Sequence, residues 1–284
     1  MLSVADRRPS AKRRRGTLRL RIQLGVAAMI IVILLLAAFV LPLPHNPDST
    51  DATAVLQPPD GSFWFGTDQV GADIFSRTIR AARTDLPLAI GGTAVAMAIG
   101  VPLGVLFSMS RRWGERAMRV LDGFQSLPLL VLILALVGLS GNQLYMVVIA
   151  IAIFGAPLYI RLVRSHVLAL RESRFIEAAQ AMGASRYRIM RRHLLPNLQE
   201  LILAQTSLIL ALSIVAIASL SFLGIGVQPP TPSWGQMIQS GASGLISGQW
   251  WLVVFPGAAI FVSVLSFNVI ADTLVELDQI RTSI

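Results

Sequence analysis

EAAQAMGASRYRIMRRHLLPN, residues 177–197, is the most polar run in the second half of a very apolar chain, and long uncharged blocks flank it on both sides. Its first part carries a helical rhythm: Phe175, Ala178, Ala179 and Met182 fall at i, i+3, i+4 and i+7, one face of a helix. Arg174, Glu177 and Gln180 fall elsewhere on the wheel. Gly183 then interrupts, because glycine alone enters a left-handed turn without a Cβ penalty. Ser185 suits the cap of a second, basic helix, and Pro196 sits where the next apolar helix starts, a position proline tolerates. The stretch reads as a short amphipathic helix, a hinge and a basic helix leading back into the membrane. Its apolar face calls for a partner outside the lipid.

The flanking blocks set the class. Of 284 residues, 54% are hydrophobic and only 14% charged, with a mean hydropathy of +0.67. A soluble domain of this size needs more charge to cover its surface. Several uncharged runs reach the roughly 20 helical residues that span about 30 Å of hydrocarbon. The chain is therefore expected to be an all-α integral membrane protein. Cysteine is absent, which excludes disulfides and thiol metal sites.

Working outward, residues 1–21 form a basic tail and 22–43 a first transmembrane helix, too long for a signal-peptide core and read as uncleaved. Residues 44–85 are read as a polar extracytoplasmic loop, with Pro, Gly and Asp clusters typical of loops, and FGTDQVGADIFSRTIRAARTD (65–85) within it reads as turns leading into a helix. A second span is expected at 86–109, where Gly100 and Gly104 make a small-xxx-small pair. A third is expected from about Val120 to Leu139, a fourth over 144–162, a fifth over 201–223 and a sixth over 251–271. The core runs over 86–278, with the polar loop at about 172–197 between spans four and five and a tail at 279–284.

Charge supports this topology. Of the 24 Lys+Arg, only Arg77, Arg80 and Arg83 fall on the side opposite the basic tail, the 110–119 connection and the 161–199 region. Positive charge marks the cytoplasmic side, so both termini and the polar loop are expected in the cytoplasm. The same segregation explains the +9 net charge without nucleic acid.

Several chemistries are disfavoured. No expected span holds an ionisable residue near its middle, where secondary carriers and pumps usually need one. A passive channel or self-powered carrier is the weaker alternative. The one lysine, Lys12, lies in the tail, so a phosphate-binding loop with its lysine is missing. His45, His166 and His193 are scattered, and no metal or catalytic cluster is expected. Polar residues within spans, such as Gln125, Ser207 and Asn268, could line a substrate path or hydrogen-bond between helices. Trp250 and Trp251 read as interfacial anchors. No substrate-binding residue is assigned.

EAAQAMG, nine residues and then HLLP resembles the EAA loop of permease subunits of ATP-binding-cassette importers, and RHLLPN is similar to the dipeptide and oligopeptide branch. FGTDQVGADIFSR (65–77), SFLGIGVQPPTPSWG (221–235), FPG (255–257) and NVIADTLVELD (268–278) resemble further blocks of that branch, in the same order. Ala72, Ala81, Asp85, Arg111, Arg112, Ala271 and the pair Gln279-Ile280 depart from its usual residues; Asp85 stands where the family tends to have serine.

The resemblance implies the type I importer permease fold of six transmembrane helices, with a cytoplasmic coupling helix between spans four and five. It implies a non-enzymatic subunit that pairs with a second, homologous permease and two cytoplasmic ATPase subunits, and receives di- or oligopeptides from an extracytoplasmic binding protein. Nickel, haem or another small solute is the alternative cargo. No cofactor is expected in this chain; ATP and Mg would be bound by the ATPases. Glu177, Ala178, Ala179, Met182, Gly183 and Pro196 would form the ATPase-coupling element. Arg186, Arg188, Arg191 and Arg192 would touch the ATPase or anionic headgroups, or serve only as anchoring charge.

Overall fold

The computed structural model describes residues 11–171, 182–183, 185–189 and 194–282. Among them the regular structure is helical: α1 Ala11–Val40, α2 Ile74–Ser108, α3 Arg111–Gln125, α4 Leu129–Leu139, α5 Leu144–Arg171, α6 Arg186–Ile189, α7 Leu195–Phe222, α8 Trp234–Gly241 and α9 Trp251–Thr282. Five helices are long and apolar enough to cross a membrane, or six if α3 and α4 count as one bent span.

The bend corrects the expected third span. The run from Val120 to Leu139 is two helices whose axes differ by 77°, broken at Ser126–Pro128. Leu127 precedes a proline, which disfavours helical backbone there, and Pro128 is extended at ψ 133°. At 1.5 Å per residue the 11-residue α4 reaches only about 16 Å, near half the hydrocarbon thickness. α3 is amphipathic instead: Trp113, Val120 and Phe124 share an exposed apolar face, with the arginines and Glu115 elsewhere.

α2 and α5 are the closest-packed long pair, and small residues on α2 make that possible. A Cβ on Gly100 would stand 2.6 Å from the Tyr159 Cβ and 2.7 Å from the Ala156 carbonyl oxygen. One on Gly104 would stand 2.9 Å from the Ile160 oxygen. Both glycines are therefore contact positions rather than incidental membrane-helix glycines. The main core joins α2, α5, α7 and α9 through residues such as Leu86, Ile151, Ile217 and Phe267, while α1 packs on α9 and α2 through Ile31 and Ala38.

The helix expected within 65–85 is the start of the second span itself, so the outer loop ends before 85. α2 starts at Ile74, where the Asp73 carboxylate accepts the Ser76 backbone N–H at 3.0 Å and its hydroxyl at 2.6 Å. Residues 41–73 fold as an ordered cap. The Gln57 N–H donates to the Thr67 hydroxyl, which donates to the Ala54 carbonyl, and the Thr67 N–H donates to the Gln57 carbonyl. The cap is fixed to α9 by the Phe65–Phe255 ring stack at 3.9 Å and by the Trp251 indole donating to the Thr67 carbonyl. Trp251 is thus buried under the cap rather than anchored in the interface, whereas Trp250 stays half exposed. At the other terminus α9 runs past the expected limit of 271 to Thr282.

Candidate functional site

The two ends of the bundle carry different features. At the basic end, the expected coupling stretch joins α5 to α7. Glu177, Ala178, Ala179, Arg191 and Arg192 lie outside the described residues. Met182 is 82% exposed, and Gly183 has a φ of +79° with open space around it. That is the left-handed turn expected at this glycine from the sequence. Ser185 then caps α6: its hydroxyl accepts the Arg188 N–H at 3.3 Å and its carbonyl accepts the Ile189 N–H. Arg188 and Pro196 are exposed, with Pro196 in the first turn of α7 as expected; Arg186 opens α6.

Beneath this exposed turn lies an apolar footing. Ile189, Leu194 and Leu198 are buried against Val105 of α2 and Val163 and Val167 of α5. The last carbonyls of α2 are covered from α5, with Arg171 donating to the Ser108 oxygen at 2.8 Å and Arg164 to the Phe107 oxygen at 3.4 Å. Arg161 reaches α3, donating to Asp122 and Gln125, both at 2.7 Å. Ile189 is thereby packed in one cluster with residues of α2, α5 and α7.

At the opposite end, α8 is docked on α2 by contacts the sequence reading missed. Asp85, 1% exposed, accepts the Trp234 backbone N–H at 2.9 Å and the Ser233 hydroxyl at 3.2 Å. The fully buried Trp234 indole donates to the Thr78 carbonyl at 2.9 Å. Asp85 reads in the sequence as the last residue of the polar outer segment; its position on the α2 face that meets α8 appears only once the two helices are brought together. Gly235 allows the close approach, since a Cβ there would overlap the Ala218 carbonyl.

Beside this latch is a cavity of about 240 Å³. Ile74, Met237, Leu252 and the 229–230 proline pair form its walls, with Asp68, Arg77 and Gln236 as polar groups. Arg77 is therefore not a free outer charge: its side chain is 12% exposed and its Nε is 3.8 Å from Asp68. Of the polar residues noted within spans, Ser207 bonds its own helix at the Leu203 carbonyl and Gln125 is held by Arg161. Asn268 lines a second cavity of about 160 Å³ with Gln205 and Asp272, between α7 and α9. No cluster of three metal-ligating side chains occurs among the described residues.

Comparison with known proteins assigns this architecture. Residues 78–279 match the family described as binding-protein-dependent transport system inner membrane component. The chain belongs to that family. This permease is 37% identical over 254 residues to a protein named probable D,D-dipeptide transport system permease DdpC of Escherichia coli K12, covering 88% of this chain and 85% of that one. It is 38% identical over 260 residues to the glutathione transport system permease GsiD of Pectobacterium atrosepticum, covering 90% and 86%. It is 38% identical over 252 residues to the dipeptide permease DppC of Alkalihalophilus pseudofirmus, covering 88% and 83%. Among solved structures, a chain of the inward-facing MetNI methionine ABC transporter superposes with a TM-score of 0.59 at 19% identity, covering 71% of this permease and 96% of that chain. A second crystal form gives 0.56 at 18% identity, covering 71% and 97%. These likenesses support the type I permease fold. The permease is a multi-pass inner-membrane component of an ATP-binding-cassette importer.

Proposed function

We infer that this permease moves di- or oligopeptides inward across the cytoplasmic membrane, driven by ATP that partner subunits hydrolyse. The observation that carries the reading is the extent of the match to permeases named for dipeptides and glutathione, which spans 88–90% of the chain. The partners in this reading are a second homologous permease, two cytoplasmic ATPases that bind ATP and Mg, and an extracytoplasmic binding protein. The chain itself needs no cofactor. The arginine-rich end faces the cytoplasm with both termini, in keeping with the positive-inside distribution.

Coupling runs through residues 177–183. Glu177 contributes charge to the docking surface, Ala178 and Ala179 keep it flat, and Met182 presents an apolar contact. Gly183 sets the angle between the docking element and the helix below, and Pro196 opens α7. The footing of Ile189, Leu194 and Leu198 transmits ATPase closure to α2, α5 and α7. Arg186, Arg188, Arg191 and Arg192 contact the ATPase or anionic headgroups.

The test is co-purification from native membranes, comparing wild type with a Glu177→Arg/Gly183→Pro variant. Wild type brings down both ATPases and the second permease, whereas the variant keeps the permease and loses the ATPases. Retention of the ATPases by the variant removes the coupling role from this loop, and purification of wild type alone removes the importer assembly.

A further inference from the structure

The cavity beside α8 is built from the two outer sequence blocks that the coupling mechanism does not use. FGTDQVGADIFSR supplies Asp68, Ile74 and Arg77, and the segment after span five supplies the prolines and, a residue beyond the block, Gln236. Its polar groups are incompletely used within the chain. The Arg77 Nε is buried with no hydrogen-bond acceptor, its closest carboxylate oxygen standing at 3.8 Å, and the Gln236 Oε1 is buried with no donor. A buried donor and a buried acceptor left unpaired are costly unless a guest or water completes them. Asp68 is half committed: its Oδ1 accepts the Val70 and Ala72 N–H groups, and Oδ2 faces Arg77.

We propose that this pocket is a binding site for a short zwitterionic peptide at the outer mouth of the permease. The carboxylate of the guest sits on the Arg77 guanidinium, whose planar donors match it. Its ammonium lies toward Asp68, and its amide N–H donates to Gln236. The apolar walls of Ile74, Met237 and Leu252 take a side chain. Because Asp68 offsets the charge of Arg77, a simple anion gains little, and a guest carrying both charges is preferred. At about 240 Å³ the cavity accommodates a dipeptide or the terminal residues of a longer peptide. The assignment deepens the peptide-importer reading and rests on it for the class of cargo.

The test uses the full chain, with whatever subunits accompany it, in nanodiscs without ATP. Saturation-transfer NMR is run with Ala-Phe, with its C-terminal amide and with its N-acetyl derivative. Ala-Phe gives transfer signals, and each blocked form binds at least tenfold more weakly. Arg77→Gln weakens Ala-Phe at least tenfold, and Arg77→Lys recovers part of the loss. Val70→Trp fills the pocket mouth without touching the ion pair and abolishes the signal; its thermal midpoint shows whether the fold is intact. Equal binding of the free and amidated dipeptides, or no change in a folded Arg77→Gln or Val70→Trp variant, overturns the site. So does an Arg77→Gln variant that binds Ala-Phe normally but loses association with the extracytoplasmic binding protein, which would make the pocket a seat for that protein. Intact dipeptide binding without ATP-coupled uptake counts against the importer assembly and leaves the pocket standing.

Discussion

Replacing Asp85 with alanine tests whether α8 is held on α2 by one acceptor. The carboxylate oxygen Oδ2 receives the Trp234 N–H and the Ser233 hydroxyl, and all three residues are buried. Alanine leaves the Trp234 N–H without its acceptor, at a cost of about 1–3 kcal/mol. Ser233 can rotate its hydroxyl to seek another acceptor, so the two losses together come to about 2–4 kcal/mol. At about 2–4 °C per kcal/mol for chains of this order, the thermal midpoint of the purified permease falls by roughly 4–16 °C. Asparagine retains an oxygen in the same place, so Asp85→Asn stays within about 1 kcal/mol of wild type. The assay is thermal unfolding in nanodiscs, paired with amide hydrogen exchange over Trp234–Gly241, which rises in the alanine variant ahead of global unfolding. An alanine variant as stable as wild type refutes the latch. An asparagine variant as damaged as alanine shows that charge, rather than the acceptor's position, holds α8.

Two further outcomes follow from packing and exposure. Gly100→Val drives branched methyls into Tyr159 and the Ala156 carbonyl, separating α2 from α5 and costing at least the 1–3 kcal/mol typical of overpacking, roughly, whereas Gly91→Ala, whose Cβ meets Val148 only at 3.8 Å, leaves the thermal midpoint unchanged or slightly raised. Arg161→Ala breaks the bonds to Asp122 and Gln125, but the ion pair is more than half exposed, so the loss is about 1 kcal/mol or less and shows as faster hydrogen exchange in α3 rather than as a lower midpoint.

The sequence reading succeeded where a local signal was enough. Long uncharged runs located α1, α2, α5, α7 and α9. Gly183 marked a left-handed turn because that backbone conformation admits few residues other than glycine. It failed where the signal depended on what lay opposite. The 120–139 run has span-like composition, yet Pro128 and the charged face of α3 divide it into two helices. Residues 65–85 read as turns leading into a helix within a polar outer segment, but not as the opening turns of the second span, where Ser76, Thr78 and Asp85 are buried beneath the cap and α8.

Composition and charge order along the chain were sufficient for the membrane class, the approximate number of crossings and the basic end, because the lipid imposes those requirements on each segment separately. The motif blocks, in their order, were sufficient for the family. Tertiary structure decided the rest: that Gly100 and Gly104 are contact points, that Trp251 and Asp85 serve the cap and α8, and that two blocks some 150 residues apart enclose one cavity. The physical reason is that burial and hydrogen-bond partnership are properties of pairs of segments. A residue's own neighbours in the chain do not state which distant carbonyl, ring or carboxylate it will meet.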